Sequence, residues 1–215
     1  MTRPSRRDAR DLIWAVLAVG LLVLCAVAIH PNRASTAEVS VFRVANAIPD
    51  LVYWPVWAVM QLGNLLAAPA VALGAAILRR WRLAGGVLLV GAAKTLLSRV
   101  VKDLVTRERP ASVIDDVVRR GDASAAGEAF VSGHAVIAFG LAVLVDPYMP
   151  PGRRWIPWAL ATAVCIGRVY VGAHLPLDVV GGAALGLAIG LVLRFALGGP
   201  ARETRVRPTD GESRH

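Results

Sequence analysis

Residues 12–29 read LIWAVLAVGLLVLCAVAI, eighteen apolar positions in a row without a charge. As a helix the run measures about 27 Å, close to the ~30 Å hydrocarbon core of a bilayer. It follows a basic start, Arg3, Arg6, Arg7 and Arg10, which a secretory signal also shows. A signal h-region is shorter, at about 7–15 residues, and Arg6-Arg7 lacks the rest of a twin-arginine context. The run therefore reads as a membrane span.

Five more apolar stretches follow, at 51–78, 83–101, 133–145, 155–171 and 179–197. Composition agrees with them. Of 215 residues 56% are hydrophobic and only 18% charged, against about a quarter charged in a soluble chain; mean hydropathy is +0.56. A soluble globular protein, a disordered chain and a coiled coil are excluded. The net charge of +9 would point a soluble protein towards nucleic acid. Here the arginines lie between apolar runs, where they set topology, and no polar face carries a basic groove. The two cysteines, Cys25 and Cys165, sit inside apolar stretches and read as small core residues, with no disulfide framework or metal cluster indicated.

The expected fold is an all-α integral membrane protein, six transmembrane helices in one bundle. Residues 1–11 form a cytoplasmic N-terminal segment, 12–197 the six-span domain, and 198–215 a disordered cytoplasmic tail. Residues 51–78 are charge-free and about 42 Å long as a helix, too long for one core and too short for two. They read as one pass, with Pro55, Gly63 and Pro69 as places to kink. With both termini cytoplasmic, and Arg194 and Arg168 counted with the ends they adjoin, fourteen Lys and Arg fall on inner segments and eight on outer ones, Lys94 and Arg99 lying within the third span, as the positive-inside rule asks. Trp14, Trp81, Trp155 and Trp158 fall at inner ends, Trp54 and Trp57 at an outer end, as in an aromatic belt. The runs 133–145 and 155–171 are short for a bilayer, so their outer ends are expected to stop below the headgroup plane, unless their boundaries extend further. Gly182, Gly186 and Gly190 make a small-residue stripe suited to close helix packing inside the bundle.

Three polar clusters fall at the outer ends of these spans. The first runs from Lys102 to Arg109-Pro110. The second is Val131-Ser132-Gly133-His134. The third is Gly167-Arg168 followed by His174-Leu-Pro176-Leu-Asp178. Lys102, Arg109 and Arg168 bring three positive charges whose donors suit phosphate oxygens. The chain holds 22 arginines and two lysines, so a lysine at 102 runs against its own bias. Ser132-Gly133 opens a helix, whose free N–H groups favour an anion. Of four histidines, His30 and His215 look incidental, whereas His134 and His174 adjoin the cationic clusters. Asp178, four residues after His174, can hold one imidazole nitrogen and leave the other as a nucleophile. His134 is then placed as the general acid. No ligand set for a metal is present. Lys94, within the third span, either lines a lipid path or snorkels outward.

These residues closely resemble the type 2 phosphatidic acid phosphatase superfamily, whose pattern is Lys-x6-Arg-Pro, Pro-Ser-Gly-His and Ser-Arg-x5-His-x3-Asp. The chain matches at Lys102, Arg109, Pro110, Ser132, Gly133, His134, Arg168, His174 and Asp178, and departs at Val131 for proline and Gly167 for serine. The resemblance implies a multi-pass plasma-membrane phosphatase, without cofactor, acting on lipid phosphates at the extracytoplasmic face. It implies His174 as nucleophile, Asp178 as its orienting partner and His134 as acid. Lys102, Arg109, Ser132, the Gly133 amide and Arg168 would hold the phosphate oxygens. Its substrate is expected to be a polyprenyl diphosphate, with phosphatidic acid and phosphatidylglycerol phosphate as alternatives. A vanadate-dependent haloperoxidase, soluble in that superfamily, and a non-catalytic lipid binder or transporter are the competing classes. The partners expected are the lipid substrate and the bilayer, with no nucleic acid.

Overall fold

The computed structural model describes residues 8–29, 33–121 and 123–198; the expected tail lies, from residue 199 on, outside them. Every regular element there is helical. Besides four short 3-10 turns, the α-helices in chain order are α1 (Ala9–Ala28), α2 (Thr36–Asn46), α3 (Tyr53–Met60), α4 (Ala67–Ile77), α5 (Trp81–Leu104), α6 (Pro110–Val113), α7 (Gly133–Val145), α8 (Trp155–Tyr170) and α9 (Pro176–Leu197).

The solvent logic of a soluble protein is inverted. On α1, Leu12, Ile13, Val16, Leu17 and Val27 point outward, while Asp11 is buried. Asp11 meets Arg194 of α9, with Oδ2 at 2.9 Å from Nε and Oδ1 at 2.5 Å from an Nη. Glu38, Arg107, Arg168 and Asp178 are likewise inside. Large apolar side chains outside and paired charges inside are what a bilayer selects.

Among the described residues three helices are long and apolar enough to cross a membrane alone, α1, α5 and α9; α3 and α4 with their flanking turns make a fourth if counted as one broken span. At 13 and 16 residues, α7 and α8 are shorter, the shortness anticipated for these two runs. The two parts of the 51–78 stretch meet at 69°, just after Gly63. There a Cβ would come within 2.8 Å of the His134 carbonyl oxygen. Pro55 and Pro69 do not kink anything. They sit in the first turns of α3 and α4, where a missing N–H leaves no bond unmade.

Two stretches extend beyond the apolar runs. α5 continues past residue 101 to Leu104, so Lys102 rides its last turn. The loop before residue 51 contains α2, started by Ser35, whose Oγ accepts from Glu38 N at 3.2 Å. Its buried residues are Glu38, Phe42 and Asn46, one stripe at four-residue spacing. Arg120 fastens its far end. It pairs with Asp50 at 2.6 Å, donates to the carbonyls of Asn46, Ile48 and Tyr170, and lies over the Tyr170 ring.

α7 is the axis of the bundle. Its Ala135, Val136, Ile137 and Val143 are fully buried, and α9 lies on it through the glycine stripe. A Cβ on Gly182 would fall 2.5 Å from Ser132 O, one on Gly186 would clash with Val136 O, and one on Gly190 would lie 2.8 Å from Val143 Cβ. The stripe therefore serves packing within the bundle. Gly186→Val is expected to cost about 1–3 kcal/mol through backbone displacement. Gly20→Ala and Gly74→Ala, inside helices with open space around them, should leave stability unchanged or raise it by up to about 1 kcal/mol. Thermal unfolding of the detergent-solubilised protein checks the contrast; similar melting for all three would contradict it.

Candidate active site

Four helix ends meet at one end of the bundle: the C-termini of α5 and α8 and the N-termini of α7 and α9. Hydrogen bonds, each with at least one backbone partner, stitch the three clusters together. Ser132 N donates to Asp178 O at 3.0 Å. Arg109 donates to Ala173 O at 3.0 Å. Lys102 Nζ donates to Glu128 O at 2.8 Å, and Arg107 N to the Glu128 carboxylate at 2.8 Å. Ala129 N returns a bond to Arg107 O at 2.8 Å. The structure thus gathers Lys102, Arg109, Ser132, Gly133, His134, Arg168, His174 and Asp178 into one region.

Asp178 sits at its centre, fully buried in the first turn of α9. Pro176 occupies the helix start, where its ring suits the backbone. One Asp178 oxygen, Oδ2, accepts from Leu175 N at 2.8 Å and lies 3.6 Å from His174 Nδ1. That separation is longer than a hydrogen bond and is the kind of contact that tightens when substrate fills a site. Burial pushes the His174 imidazole below its usual 6.5; the adjacent Asp178 opposes the shift, and Arg168 and Arg109 add to it. At neutral pH the ring is therefore uncharged and holds a free lone pair. Burial also lowers the Arg109 guanidinium, against the pull of Asp178.

Two members of the site escaped the sequence reading. Arg107, only 2% exposed, places Nε 3.1 Å from Asp178 Oδ1, an ion pair without hydrogen-bond alignment. Its other end reaches Glu38 Oε1 of α2 at 2.8 Å. The same Glu38 oxygen accepts from Leu177 N at 3.2 Å, satisfying a second free donor of α9. Glu38, Arg107, Asp178 and His174 thus form a buried chain of alternating charge ending on the imidazole. The available signal was Arg107-x-Arg109 in the connector between α5 and α6. The backbone is extended at its flanks, Val105 and Arg109, and i, i+2 side chains of an extended strand share a side. Nothing in the sequence pointed to Glu38.

Ser132 Oγ and Arg109 Nε are buried and make no hydrogen bond among the described residues. Buried polar atoms normally have partners, so their concentration beside three cations marks a place for an anionic ligand. Gly167, where the superfamily pattern has serine, faces α3: a Cβ would lie 2.8 Å from Met60 Cγ and 3.1 Å from Val56 Cγ1. Tight packing of α3 accounts for that departure.

A membrane-embedded helical bundle with an anion cradle beside a buried His–Asp pair defines the class. The family model of the PAP2 superfamily matches residues 81–197, and the chain belongs to that superfamily. Among solved structures it is similar to Aquifex aeolicus LpxE, at 24% identity and a TM-score of 0.67, over 74% of this chain and 95% of that one. It is also similar to a PAP2-type phosphatidylglycerolphosphate phosphatase from Bacillus subtilis, at 23% identity and a TM-score of 0.65, over 84% and 94% respectively. No match was found among curated proteins. α2, with Glu38, lies outside the stretch that the family model matches.

Arg107→Ala would strand two buried carboxylates and is expected to destabilise the fold by about 3–5 kcal/mol. Glu38→Gln should cost less, because the amide oxygen still accepts from Leu177. Unfolding temperatures in detergent rank the two; an equal loss would contradict this reading of the network.

Proposed function

We propose that the chain is a lipid phosphate phosphatase working through a phosphohistidine. The observation that carries the proposal is the buried His174–Asp178 pair beside Arg109 and Arg168. Asp178 orients Nδ1–H and leaves Nε2 to attack phosphorus. Lys102, Arg109, Arg168, Ser132 and the Gly133 amide receive the phosphate oxygens as charge builds on them. His134 protonates the departing oxygen, and then assists the water that cleaves the P–N bond and regenerates His174. A phosphate monoester carries about −2; it would meet Lys102, Arg109 and Arg168, with Asp178 and Glu128 as the opposing carboxylates and Glu38 and Arg107 cancelling each other. That donor set needs no metal: the site's carboxylates are committed to Arg107 and to helix donors.

In this reading α7 and α8 cross the membrane as well, giving six spans with cytoplasmic termini and the site at the outer face of the plasma membrane. The excess of arginine on the other side supports that orientation. Short α7 and α8 recess the site, so that a headgroup arrives laterally from the bilayer. Polyprenyl diphosphates and glycerolipid phosphates both meet these conditions, and an outward site suits recycling of a polyprenyl carrier.

His174→Ala should abolish phosphate release from lipid, and His134→Ala should lower it by about 10²–10⁴-fold, with both variants still inserting in membranes. The acid limb of kcat/KM should lie below pH 6.5, because the lowered His174 pKa keeps the nucleophile unprotonated until then. An acid limb above 6.5 would contradict the assignment. Vanadate should inhibit, and EDTA should leave the rate within about twofold; strong EDTA sensitivity would overturn the metal-free reading.

A further inference from the structure

One cation at the site is not used by the chemistry above. Lys94 lies within α5, eight residues before Lys102, which places its backbone about 12 Å further along the helix towards the membrane interior. Its side chain neither snorkels out nor faces lipid. It runs to the start of α7, where its Cε and Nζ lie 2.7 and 3.2 Å from the position that a Cβ would take on Gly133. With glycine at 133 the ammonium lies against the helix start, so residue 133 offers both an amide to the cradle and space for an ammonium beside it. Among the described residues Lys94 makes no hydrogen bond and no ion pair. The charges bearing on it, Arg99 and Lys102, have its own sign.

A half-buried ammonium is costly in a span unless an acceptor meets it. In the cradle Lys102, Arg109 and Arg168 face one phosphate, with Asp178 and Glu128 as the opposing charges. Lys94 adds one more positive charge, immediately beside the cradle and on its membrane side, where the tail of a bound lipid must run. We infer that Lys94 binds the lipid-side phosphate of a diphosphate headgroup, and that the site selects lipid diphosphates over lipid monophosphates. The inference rests on the phosphatase reading above. In the reaction, His174 Nε2 bonds to the terminal phosphorus as the bond from phosphorus to the bridging oxygen breaks. That electron pair stays on the departing lipid monophosphate, held by Lys94, and water then releases inorganic phosphate from His174. Closeness to Gly133 favours an anhydride-linked second phosphate over one separated by a glycerol.

The test uses the purified full-length protein in detergent with polyprenyl diphosphate, polyprenyl monophosphate, phosphatidic acid and phosphatidylglycerol phosphate. Wild type should show a kcat/KM at least tenfold higher on polyprenyl diphosphate than on either monophosphate. Lys94→Met, an apolar change in an apolar helix, should erase most of that preference mainly by raising KM, and Lys94→Arg should restore part of it. Phosphatidylglycerol phosphate should respond less to the substitution than polyprenyl diphosphate does. An equal fall on every lipid, or no wild-type preference for the diphosphate, would overturn the role of Lys94 while leaving the phosphatase reading intact. No phosphate released from any lipid by wild type would fell both.

Discussion

A carboxylate buried at the start of a helix is the constraint on which this structure turns. Asp178 is removed from water, and an isolated ion there would cost several kcal/mol. Its environment compensates with Leu175 N on one oxygen and Arg107 against the other. Arg107 is buried in turn and needs Glu38, so α2 must dock where α9 begins. Ser132 N on the Asp178 carbonyl brings the start of α7 to the same point. The requirement to satisfy one anion thus assembles α2, the α5–α6 connector, α7 and α9. The His174 imidazole comes with them, because His174 is the residue that precedes the α9 cap.

The bilayer supplies the other half of the design. Exposed leucines and valines on α1 and α5 need a hydrocarbon solvent, so the interior is free to carry ion pairs and helix–helix contacts at backbone distance. Glycines at 182, 186 and 190 let α9 lie against the α7 main chain. That closeness brings the two N-terminal helix ends together, and both lend positive character to the cradle. Bundle packing and the convergence of the two helix ends therefore draw on the same short interhelical distance.

Much of this was legible in the chain. Long uncharged runs announce helices in a membrane, and the three spaced clusters could be picked out as the groups that the fold brings together, because those signals are local in sequence. What stayed hidden depends on contacts between distant segments. Glu38 looks like a surface acid on an amphipathic stretch until α2 folds back on α9. Arg107 was masked by its motif neighbour Arg109. The sharp bend after Gly63 arises from packing against His134, so the prolines that seemed to signal it sit harmlessly in first turns. Lys94 offered two readings, and only the space over Gly133 shows which way its side chain runs.

The central claim is that His174 carries the phosphoryl group. Rapid acid-free quenching of the full-length enzyme during turnover of a phosphorus-labelled lipid, followed by digestion and mass spectrometry, measures this directly. The account predicts an acid-labile phosphate on the peptide containing His174, at Nε2, that disappears as substrate is exhausted. Label on His134 instead, or turnover with no phosphorylated histidine at any time, would contradict it.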